Sequence, residues 1–100
     1  PRAFALAIGG LCVNVPGDAD HGARCDAAVE SFTEAWDVHD IHFFASGEST
    51  DRLLSLFLRL CARAQRVDAG EATVRRGIEL EPCGVNVATY SAWITMYANA

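Results

Sequence analysis

Apolar residues of alternating size open the chain. Residues 2–8 read Arg-Ala-Phe-Ala-Leu-Ala-Ile, with Phe4, Leu6 and Ile8 separated by Ala3, Ala5 and Ala7. A period of two predicts a strand, and the lack of a polar face predicts one covered on both sides. Gly9-Gly10 bends it before Leu11, Cys12 and Val13 resume. Pro16-Gly17-Asp18 reads as a turn, after which Asp18 or Asp20 can accept a bond from a free backbone N–H and start a helix. That helix runs to about Asp37. Its inner stripe is Cys25, Val29, Phe32 and Trp36, with Asp26, Glu30, Thr33, Glu34 and Asp37 toward water. Residues 41–45 form a short strand, closed by Ser46-Gly47.

Ser49 or Thr50 caps a second helix that reaches about Arg66. At 100° per residue, Arg52, Ser55, Arg59, Arg63 and Arg66 fall within roughly 80° of one another. Leu53, Leu54, Phe57, Leu58, Leu60 and Cys61 fill most of the remaining circumference, so this helix shows water one narrow strip. Gly70 is available for a left-handed end. Residues 73–81 alternate, with Val74, Ile78 and Leu80 opposite Arg75, Glu79 and Glu81, and Arg76 breaking the pattern. Glu81-Pro82-Cys83-Gly84 suits a turn with proline in its second position. A last strand spans about 85–97, with Tyr90, Ala92, Ile94 and Met96 inside and Thr89, Ser91, Trp93, Thr95 and Tyr97 outside. The expected fold is α+β: a two-layer sandwich in the order β-α-β-α-β-β. It has a mixed four-stranded sheet with two helices packed on one face. Residues 1–100 make one domain.

Composition narrows the function classes. Thirteen acids against eight bases give a net charge of -5, and all eight bases are arginine. That balance argues against nucleic acid, which draws on Lys and Arg for its phosphates. No stretch supplies the ~20 apolar residues of a membrane span. Residues 3–17 are uncharged and follow Arg2, which imitates a leader, and we read them as part of the folded domain.

Cysteines at 12, 25, 61 and 83 fit no C-x-x-C spacing. Two disulfides and four buried thiols both fit this count. Disulfides would imply an oxidising compartment and a small secreted, toxin-like effector. Free thiols would imply the cytoplasm.

Candidate chemistry is sparse. His39 and His42 stand beside Asp37 and Asp40, and His21 precedes Cys25 by four residues, spacings that touch on zinc chemistry. Positions i and i+3 of a strand point to opposite faces, so ordinary histidines are expected and no metal or other cofactor. Ala45-Ser46-Gly47-Glu48-Ser49-Thr50-Asp51 joins a strand to a helix start, where amides can hold an anion. Glu48 and Asp51 would repel a phosphate, and capping accounts for the segment.

Pro1 is the one candidate catalytic group. A free N-terminal proline is a secondary amine able to act as a base near neutral pH. In Pro1, chain length and an opening strand the sequence resembles the tautomerase superfamily. That resemblance implies Pro1 as base; the family's substrate-binding arginines match no position here, and the alternative reading gives the task of holding an anionic substrate to Arg75 or Arg76. On a strand those two arginines point to opposite faces, so one of them at most can serve. The chain departs from the family's paired β-α-β plan in having no strand before its second helix.

The leading expectation is instead a non-catalytic protein-binding or self-associating module. Trp93 and Tyr97 share one face of the last strand, and residues 83–100 carry no charge that would protect an exposed edge. Arg52, Arg59, Arg63 and Arg66 form a second candidate surface, suited to an acidic partner. The edge-pairing argument requires residues 85–97 to be extended and Trp93 to lack a cover within its own chain.

Overall fold

Residues 2–12 satisfy two periods at once, and the helical one prevails. Phe4, Ala5, Ile8, Leu11 and Cys12 recur at helical spacing, and the interleaved alanines are the best helix formers. In the computed structural model, which describes residues 2–13 and 15–99, this segment is helix α1 (Arg2–Cys12). Four more α-helices follow: α2 (His21–Thr33), α3 (Thr50–Ala64), α4 (Val67–Leu80) and α5 (Val87–Ala98). No strand occurs among the described residues. The α+β sandwich with its four-stranded sheet is therefore corrected to an all-helical fold.

The two segments expected to be helical are α2 and α3, and their caps show why they start where they do. Asp20 Oδ1 accepts from the amide of Ala23 at 3.0 Å, and Ser49 Oγ accepts from that of Arg52 at 3.1 Å. The end of α2 widens into a π-turn over Glu34–Val38, where His39 N–H reaches Glu34 O at 3.1 Å. Trp36, within this wider turn, is buried in the core. Gln65 closes α3 in the left-handed conformation (φ 58°), and α4 follows almost at once.

Residues 73–81, expected as a strand, belong mainly to α4, whose buried positions Gly70, Thr73, Val74 and Gly77 keep helical spacing. Residues 41–45 are a turn-rich connection with Phe43 fully buried, not a strand.

α3 is the central post, packed against α1, α2, α4 and α5. Its buried Leu53, Leu54, Phe57, Leu58, Leu60 and Cys61 demand cover over most of its circumference, and helices on several sides supply it. Ser55, placed on the polar strip by the sequence, is buried too and donates its hydroxyl to Arg52 O at 2.8 Å. Phe32 sits among Trp36, Phe57 and Phe43, with ring centroids 5.0, 5.4 and 5.9 Å away.

The disulfides are likewise corrected. All four cysteines are free. Cys25 and Cys61 meet inside the core at 3.1 Å between sulfurs, a thiol–thiol contact beyond the ~2.05 Å of an S–S bond. The Cys61 thiol is pushed up by its hydrogen bond to Cys25 and by burial, so Cys61 keeps its proton. Burial raises Cys12 to about 12. The step from disulfides to an oxidising compartment loses its premise.

Candidate docking surface

The last helix starts with help from another element. Asn86, its N-cap, makes no side-chain cap bond. Asp51, in the first turn of α3, does the capping instead. Its Oδ1 accepts from the amides of Asn86 and Thr89, both at 2.9 Å, and from the Thr89 hydroxyl at 2.7 Å. Partial burial would raise the Asp51 carboxyl, but these hydrogen bonds outweigh it and hold the group below its ordinary value.

A second carboxylate ties down the preceding turn. Glu81, 4% exposed, accepts from Trp36 Nε1 at 2.7 Å, the amide of Phe44 at 2.7 Å and the Thr50 hydroxyl at 2.8 Å. The chain thus enters α5 from a fixed point, with α5 laid along α3.

α5 carries no charge at all. Thr89, Ala92 and Met96 face inward, with Met96 against Gly70 of α4, where an added Cβ would stand 2.6 Å from its sulfur. Val87 and Ile94 are 72% and 70% exposed, Tyr90 and Tyr97 each 44%. These four recur at intervals of three, four and three, the a/d spacing of a helix–helix seam, on the side away from the core.

Trp93 lies at the margin of this stripe. Its ring is 6.4 Å from those of Tyr90 and Tyr97, and the Arg75 guanidinium lies 5.6 Å from its centroid. Arg75 also pairs with Glu71 at 3.8 Å. The Tyr97 hydroxyl donates to Glu71, which holds that phenol above its ordinary range. The indole N–H of Trp93 is enclosed without a partner at hydrogen-bond geometry. Trp93 is therefore half-buried, covered by Arg75 of its own chain, and the strand edge on which pairing was to occur is a helix.

The other sequence candidates are dispersed. Pro1 lies outside the described residues. Arg75 stacks on Trp93, while Arg76 donates to Asp37 through both terminal guanidinium nitrogens, and both arginines sit on a helix rather than on opposite faces of a strand. Arg52, Arg59 and Arg63 are exposed along α3. Arg66 lies beyond the end of α3, at the N-cap position of α4 but without a side-chain cap bond, and pairs with Asp26 at 3.5 Å. His39 pairs with Glu34 at 3.7 Å and His42 with Asp40 at 3.3 Å. Among the described residues no group of three or more His, Cys, Asp or Glu could hold a metal ion.

No family model, curated protein or solved structure matches the chain. The surface therefore stands on its own geometry.

Sequence reasoning found Trp93 and Tyr97 but placed Tyr90 and Ile94 on the inner side of a strand and gave Val87 no role. The missed signal was the 3-4-3 interval of the apolar residues, obscured by a segment rich in strand-favouring Val, Thr, Tyr, Trp and Ile.

Proposed function

We propose that the chain is a non-catalytic self-associating module whose contact is the outer face of α5. The observation that carries this reading is the stripe of Val87, Tyr90, Ile94 and Tyr97, apolar, exposed and flanked by no charge on its own helix. α5 exposes Ser91 and Thr95 beside this stripe, and a contiguous exposed apolar stripe normally marks a contact. The chain's own core covers one side of α5, and a second copy supplies the other, helix against helix about a twofold axis. Two copies meet there without like-charge contact from α5, although each carries a net charge of -5.

Covering the four side chains on both copies removes on the order of 1,000 Å² of surface, the lower end for a specific interface. The dimer is accordingly expected to form with micromolar or weaker affinity. Sedimentation equilibrium over micromolar to millimolar concentrations tests this, with Ile94→Asp as the disrupting variant. Wild type is expected to shift from monomer toward dimer, and Ile94→Asp to stay monomeric. A wild type that stays monomeric throughout, or a variant that dimerises equally, contradicts the proposal.

A further inference from the structure

The eight arginines divide sharply. Arg66, Arg75 and Arg76 have carboxylate partners, and Arg24 donates to Gly10 O and Leu11 O at the end of α1. Arg2, Arg52, Arg59 and Arg63 have no carboxylate at ion-pair distance among the described residues, in a chain with five more acids than bases. Those four line two clefts between α1 and α3. One, of about 540 Å³, takes Arg2 and Arg52 together with Ala5, Gly9 and Leu53. The other, of about 330 Å³, takes Arg59 and Arg63 together with Cys12, Leu56 and Leu60. Val13 lines both, so the two clefts meet at that residue, and together they are taken as the groove between α1 and α3. An added Cβ at Gly9 or Gly10 would meet nothing within 4 Å, so the α1 side of the groove stands open. Glu48 is the single acid on its lining.

The geometry points to this groove as a docking site for an acidic amphipathic helix of another protein. Arg52 and Arg63 lie eleven residues apart on α3, roughly 16 Å or three helical turns. The arginines are thus spread along the groove with apolar side chains between them. A lipid headgroup would call for cations gathered at one end and an apolar path leading away. A partner helix has the matching layout, with an apolar stripe for the groove and carboxylates on either side for the guanidiniums. This surface is separate from the outer face of α5 and stands whether or not α5 self-associates.

The test uses fluorescence anisotropy with a synthetic four-turn peptide bearing leucines on one face and glutamates flanking them. The same peptide with glutamine for every glutamate serves as the neutral control, and vesicles of anionic phosphatidylglycerol as the lipid arm. The full chain is expected to bind the glutamate peptide, more weakly as salt is raised, and to ignore the other two. Arg59→Gln with Arg63→Gln should weaken binding at least about tenfold. Gly9→Leu, which leaves charge intact and fills the open side, should weaken it too. Ile94→Asp should bind as wild type does, which separates this site from α5. Equal binding of both peptides, no effect of the double variant with helical circular dichroism retained, or binding to vesicles alone would overturn the assignment.

Discussion

At the residue scale, two carboxylates do the positioning that the apolar core cannot. Glu81 Oε1 receives both the Phe44 amide and the Thr50 hydroxyl, and Oε2 receives the Trp36 indole. Glu81→Gln turns an amide N–H₂ toward one of these donors and strands it, at a cost of about 1–3 kcal/mol. Urea unfolding followed by tryptophan fluorescence should show that loss. Asp51→Ala removes the borrowed cap of α5, expected to cost about 1–2 kcal/mol. The folded carboxyl titrates below its ordinary 3.8, so its stabilisation is complete above that value and fades as pH falls through the folded one. Unfolding measured from neutral pH downward should show the gap between wild type and Asp51→Ala narrowing in acid. A constant gap would mean that the charge plays no part. Both residues are unremarkable in the sequence, Glu81 in a turn and Asp51 beside a cap, because their roles depend on donors 31 to 45 and 35 to 38 positions away.

At the element scale, the helices differ in how plainly the sequence announced them. α2 and α3 carry polar faces and capping residues, so their period is legible. α1 and α5 lack charged faces, and a run of alternating large and small apolar residues fits a strand or a helix equally until packing chooses. Packing chose helix because α3 is apolar over most of its circumference. Small inward residues let two of its neighbours come close. Gly77 of α4 is one such point, where an added Cβ would lie 2.7 Å from Leu54 Cδ1. Gly77→Val is therefore expected to destabilise by about 1–3 kcal/mol. Gly10, exposed on α1 with open space around its Cα, has the opposite expectation. Gly10→Ala should stabilise by about 1 kcal/mol through helix propensity alone. Chemical denaturation midpoints of the two variants, moving in opposite directions, check this pair together.

At the scale of the whole molecule, one central helix organises four others, and the uncharged last helix leaves its far side to solvent. The thiols report on the same arrangement. Cys83 is exposed, whereas Cys25 and Cys61 are sealed in the core. Alkylation of the native protein is expected to modify Cys83 readily and to reach Cys25 and Cys61 only in denaturant. Modification of all four at one rate would refute the packing described. The central claim is that the α5 stripe is a contact between copies, and amide NMR spectra at micromolar and millimolar concentration address it residue by residue. Shifts that grow with concentration and cluster at Val87, Tyr90, Ile94 and Tyr97, absent in Ile94→Asp, are the expected result. Spectra that superimpose at both concentrations, or shifts confined to α1 and α3, would contradict it.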